Sequence, residues 1–234
     1  MVPPGTPGTF GITVSGSNVH VNGGTVKGFG TGIQVSGDNN HLNGLTVTEN
    51  GGGIALVTGV DNNHIDGNNI SGNAEGVGIH SSNNNVIEEN VINDSVQEGG
   101  SAFGVELTDS DHNVIKSNDI SSNKSGGVSL IGPLGSNNNR IRGNSMNNDP
   151  PQGIGIILRM GNNNTILDNT ANGNTFWIEV RTSQNSIQRN MALGNTLGDL
   201  VDQNPNCDKN IWKNNTFETA LVAGVGGPAG GCIK

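Results

Sequence analysis

The chain has 234 residues, a net charge of −9, 38 Gly, 3% aromatic residues and no Tyr. That excludes a core built on large aromatic anchors, and 13% charged residues is too few for a self-repelling disordered polymer. The acidic balance argues against nucleic acid as a partner, because phosphate binding needs a basic face, and against a polyanionic glycan without a bridging cation; no apolar run approaches the ~18 residues of a membrane span.

Residues 1–9 read as an N-terminal linker or a truncated start, and a degenerate first coil aligns through Val21 and Val26. A unit then recurs about every 24 residues, a solenoid period. Its first Asn falls at Asn40, Asn63, Asn85, Asn113, Asn139, Asn164, Asn185 and Asn210. An apolar residue follows two positions on, from Leu42 and Ile65 to Ile187 and Trp212. A second Asn column runs from Asn68 to Asn215, with Leu45 in its first coil, and a third polar column includes Asn50, Asn73, Ser95, Asn123, Asp149, Asn174 and Asn195. Each unit closes on Gly-Φ-x-Φ, with Φ apolar, as in Gly104-Val105-Glu106-Leu107.

Short period-two bursts of β-branched residues punctuated by Asn and Gly are strand signals, not helix signals. The pattern predicts an all-β, single-stranded right-handed parallel β-helix: three short strands per coil, about eight or nine coils over residues 10–198, and a last coil with a C-terminal cap over 199–234. At ~4.8 Å per coil the rod is roughly 40 Å long. The Asn columns are expected to face inward as amide ladders that satisfy corner backbone groups.

Tandem Asn-Asn-x-Ile-x-x-Asn-x-Ile-x-x-Asn-x-x-Gly-Ile units resemble the parallel β-helix repeats of the NosD-like or CASH group, carbohydrate-binding proteins and sugar hydrolases, over roughly residues 10–220. The resemblance implies the fold and does not choose among lyases, glycosidases, epimerases and non-catalytic surface proteins. The epimerase-type Asp-Pro-His motif is absent; the nearest string is Asp109-Ser110-Asp111-His112.

Function is expected on outward positions and insertions. The coil from Asn85 to Asn113 is lengthened at Val96–Phe103, a later one at Pro133–Ser136, and another at Asp149–Gly153. The first and third leave the same corner and are expected to wall a mid-rod groove on the Gly-Φ-x-Φ sheet. Candidates for acid/base work there are His80, Glu106 and Glu179, with Arg159 and Arg181 positioning a ligand and Phe103 and Trp177 stacking on sugar rings. Against these stands a solvated face with cross-strand ion pairs. His20, His41 and His64 form one outward column that suits a transition metal by ligand type but includes no carboxylate. Asp66, Glu88, Lys116 and Arg142 form a second, with Glu88 facing Lys116 as a cross-strand ion pair. No cofactor is required by these residues, and neither Ca nor a transition metal is specifically supported. Cys207 and Cys232, in one irregular segment, are expected to form a disulfide, which implies an oxidising, extracellular, periplasmic or cell-surface setting.

The residues support three readings. The first is an extracellular module associated with a polysaccharide or cell-surface glycan, without strong catalysis. The second is a polysaccharide lyase, epimerase or glycosidase in the mid-rod groove. The third is an assembly module that pairs end to end, or as a homo-oligomer, through its N-terminal coil.

Overall fold

A computed structural model of the chain describes residues 6–96, 100–147, 153–222 and 232–233. All strand pairing is parallel, and the chain winds right-handed through about nine turns. One wall is a ten-stranded sheet that starts at Thr6–Val14 and ends at Ala220–Val222; it carries the Gly-Φ-x-Φ segments. A second wall is nine-stranded, from His20–Asn22 to Ile211–Lys213. The third consists of a four-stranded and a three-stranded piece, linked by the bridges Val91–Asp119, Asp119–Ser145 and Ser145–Thr170. The insertions at Val96–Phe103 and Asp149–Gly153 lie partly outside the described residues.

The corners explain the repeat. Residues that precede ladder positions sit in the left-handed region, for example Asn84 (φ 57°) before Asn85 and Ser117 (φ 55°) before Asn118. The chain turns there, and its next N–H points along the rod. The ladder Asn takes up that group: the Asn63 N–H donates to Asn85 Oδ1 at 2.8 Å, Asn85 to Asn113 at 2.8 Å, and Asn113 to Asn139 at 2.8 Å. The second column repeats the arrangement through Asn68, Asn90, Asn118, Asn144, Asn169 and Asn190. Asn113 and Asn118 are buried, as the inward ladders require. Between the corners, Ile65, Ile87, Ile115, Ile141 and Ile166 stack as a fully buried column.

The glycine that opens each Gly-Φ-x-Φ segment also faces the interior. Gly32, Gly53, Gly76, Gly104, Gly127 and Gly155 share one register column. A Cβ on Gly104 would stand 2.1 Å from Ile120 Cγ2 and 2.8 Å from Asn123 Nδ2. In the next coil the same register position is Trp177, so its ring turns into the core and is fully buried.

At the C-terminal end, buried acids replace the ladder amides. The Asp199 side chain accepts hydrogen bonds from the Asn195 amide and from the N–H groups of Glu218 and Thr219. Burial alone would raise its pKa, but these donors outweigh it and hold the carboxyl below the usual range. Asp202 accepts from Asn204, Asn210 and Trp212 Nε1. The disulfide Cys207–Cys232 closes a loop of sequence separation 25 beside this end, with a Cα–Cα distance of 6.2 Å. A bridge over such a loop is worth about 3 kcal/mol in the chain-entropy account. On reduction, amide hydrogen exchange is therefore expected to rise first in Ala220–Val222 and only later in the mid-rod strand Gly126–Ile131; a uniform rise would contradict a local cap.

Candidate functional site

The outward column of the ten-stranded sheet runs, coil by coil, Gln34, Ala55, Gly78, Glu106, Ser129, Ile157, Glu179 and Val201. It is open only in its first half. Ser129 and Ile157 are fully buried, so the expected mid-rod groove is not a free face at these coils. The accessible concavity lies two to four coils earlier. It is a hollow of about 260 Å³ with Gly51–Gly53, Gly76 and Gly78 in its lining and Thr31, Glu75 and His80 at its sides.

Glycine creates this space. A Cβ on Gly78 would meet His80 Nε2 at 2.8 Å and Glu75 Oε1 at 3.3 Å, so both side chains lean over the same residue. Glu75 opens its strand, Glu75–His80, and faces outward in the register column that continues to Phe103. Its Oε1 is buried and receives no hydrogen bond from the described residues. Burial, and secondarily the negative charge of Glu106 on the next coil, push Glu75 up to about 7. Glu106 is itself held by the Ser101 hydroxyl at 2.7 Å. A carboxyl that changes protonation near neutrality, beside an imidazole and a second carboxyl, can donate or accept a proton.

The sequence-derived candidates divide. His80 lines the hollow, and Glu106 stands one coil on, in register with Gly78 but outside the lining; Glu75, which shares the hollow with His80, is a residue that the repeat does not single out. The residue before the Gly of Gly-Φ-x-Φ falls outside the strand that the repeat predicts, so the sequence assigns it no facing. Phe103 and Trp177 must be withdrawn as sugar-stacking residues, since Phe103 is 4% exposed and Trp177 not at all. Glu179 is 4% exposed and tied to Arg181 Nε at 2.8 Å and to Gln203 Nε2 at 3.1 Å. Arg181 borders a different, shallower hollow near Leu134, Met160 and Asn204. Arg159 is exposed at the end of Ile154–Leu158, outside both hollows.

On the nine-stranded wall His20, His41 and His64 align in register. The His41 and His64 rings stack at 4.9 Å and 10°, while His20 meets His41 edge-on at 5.3 Å. The straight column holds no carboxylate, but the neighbouring outward column supplies two across the diagonal: Asp66 bonds His41, and Glu88 Oε1 lies 2.5 Å from His64 Nε2. Glu88 also pairs with Lys116, as its register predicts. Partial burial would raise Glu88, but Lys116 and His64 hold it below the usual carboxylate range.

Residues 98–227 match the right-handed β-helix region. Residues 8–154 match the family described as periplasmic copper-binding protein (NosD), and the chain belongs to that NosD family. Among solved structures it is similar to an alginate lyase from Paenibacillus sp. str. FPU-7, with 19% identity and a TM-score of 0.69 over 86% of this chain and 78% of that one. It is also similar to a DFA-IIIase from Arthrobacter chlorophenolicus A6 in complex with GF2, with 14% identity and a TM-score of 0.61 over 87% of this chain and 52% of that one. No curated protein matches the chain. These likenesses establish the shared β-helix fold.

The family description implies copper, and the side chains fit it. His41, His64 and Asp66 each place a ligand atom within 4.8 Å of the others, the only such trio among the described residues. Imidazole and carboxylate suit Cu(II) or Zn(II).

Proposed function

We propose that this is an extracytoplasmic β-helix protein that acts on a neutral glycan at the hollow over Gly78, with Glu75 as its proton donor. The observation that carries this reading is the buried Glu75 Oε1, which has no partner among the described residues and leans with His80 over a glycine floor. A sugar hydroxyl or glycosidic oxygen in the hollow would complete its hydrogen bonding. The similar alginate lyase, named for action on a polysaccharide, lends the reading support at the level of fold. Glu75 lines the hollow, Glu106 adds negative charge close by, and the chain carries −9, so an uncharged chain of sugars suits it better than a polyuronate. The disulfide and the periplasmic family description favour an oxidising compartment.

The sequence alone favoured glycan association without strong catalysis; the protonatable pair moves the balance toward the catalytic alternative. With few exposed aromatic rings, affinity should be weak, in the high-micromolar to millimolar range, roughly −4 to −6 kcal/mol. Chemical-shift mapping with neutral oligosaccharides is expected to perturb Gly52, Gly53, Gly76 and Gly78. Shifts confined to the nine-stranded wall would refute the placement.

A further inference from the structure

We propose that His41, His64 and Asp66 form a binding site for one Cu(II)-class ion on the nine-stranded wall, separate from the glycan hollow. Parallel in-register pairing stacks one imidazole on each of two successive coils, His41 on His64. Asp66 shares a strand with His64 and reaches diagonally to His41, so the carboxylate arrives from the side and the ligand set is not a flat ladder. The side chains of His41, His64 and Asp66 are 31%, 40% and 27% exposed, which leaves them room to rotate and leaves outer coordination positions open.

With metal–ligand bonds of ~2.0 Å, adjacent donor atoms stand ~3 Å apart in the tetragonal geometry that Cu(II) prefers. The donor atoms of the trio lie within 4.8 Å of one another, so closing the site takes an inward rotation of these partly exposed side chains. Glu88 bonds His64 Nε2 while Lys116 holds Glu88; with the ion on His64 Nδ1 this is an outer-shell arrangement that fixes a ligating imidazole. The His41–Asp66 contact is what the ion replaces: neutral imidazole and carboxylate become ligands, and any proton between them is released. Among divalent first-row ions Cu(II) should bind tightest.

The test is calorimetric titration of the whole chain with Cu(II) alone, together with electron paramagnetic resonance of the complex. One equivalent should bind, and the spectrum should show coupling to two imidazole nitrogens. His64→Ala and Asp66→Asn should each weaken binding at least about tenfold, since loss of even an outer-shell partner costs about 10–100-fold. His112→Ala, at an exposed histidine on the corner before Asn113, should leave affinity unchanged. The site is overturned if the wild type binds no stoichiometric ion, if either ligand variant changes affinity less than threefold, or if the spectrum lacks histidine nitrogen coupling. None of these readouts depends on glycan turnover.

Discussion

Replacing Asn118 with Ala is expected to cost about 3–5 kcal/mol, a large fraction of the stability of a single domain. Asn118 Oδ1 accepts from the Asn90 N–H at 2.9 Å and from the Asn90 amide at 3.0 Å. Its own amide donates to Ile87 O at 2.9 Å, Lys116 O at 3.0 Å and Asn144 Oδ1 at 3.0 Å. Truncation leaves the buried Asn90 N–H without its acceptor and takes one donor away from each of Ile87 O, Lys116 O and Asn144 Oδ1, a buried orphan costing ~1–3 kcal/mol, and it adds a cavity. The adjacent exposed residue provides the control. Ser117 has φ 55°, so Ser117→Gly should be neutral or slightly stabilising, because glycine carries no Cβ penalty there. Urea unfolding of the two variants checks this. Equal midpoints would contradict the inward amide ladder as the source of the rod's cohesion.

Glu75→Gln is expected to stabilise the protein relative to wild type as pH rises. Burial raises the folded-state pKa of Glu75 from 4.5 to about 7, so the folded protein binds the proton more tightly than the unfolded chain does. The associated stability is fully present below pH 4.5 and is lost as pH rises through about 7. At 1.36 kcal/mol per unit, the difference between variant and wild type should widen by up to about 3 kcal/mol between pH 4.5 and pH 8. Denaturant midpoints at these two pH values measure it; a gap that does not change with pH would show that Glu75 is ordinarily solvated. A side chain that weakens the fold at neutral pH is typical of a position held for function.

Much of the architecture is legible in the sequence because a solenoid writes each structural role once per coil. The Asn at 63, 85 and 113 and the Ile at 65, 87 and 115 repeat in residue type as well as spacing, and both columns are buried as expected. The Glu88–Lys116 pair follows from the same register. The site is less legible, since its residues break the repeat. Glu75 precedes the glycine that marks its strand, and its neighbour Phe103 falls in register only after a lengthened coil. Trp177 stands in the column that is glycine in the preceding coils, where alternation alone does not show that the first residue turns inward. Asp66 belongs to one outward column and its histidine partner His41 to another; side-chain reach across the diagonal joins them, and column-by-column inspection does not reveal that.

On the proposed reading, chemistry on a neutral glycan takes place over Gly78 with Glu75 as the acid. Product release from a panel of neutral and acidic polysaccharides, followed for wild type and Glu75→Gln between pH 5 and 9, tests it most directly. The expected result is turnover of a neutral glycan that declines as pH rises through about 7 and that falls about 10²–10⁴-fold in Glu75→Gln, the usual contribution of a positioned acid. No turnover of any neutral glycan, or turnover unchanged by Glu75→Gln, would contradict it.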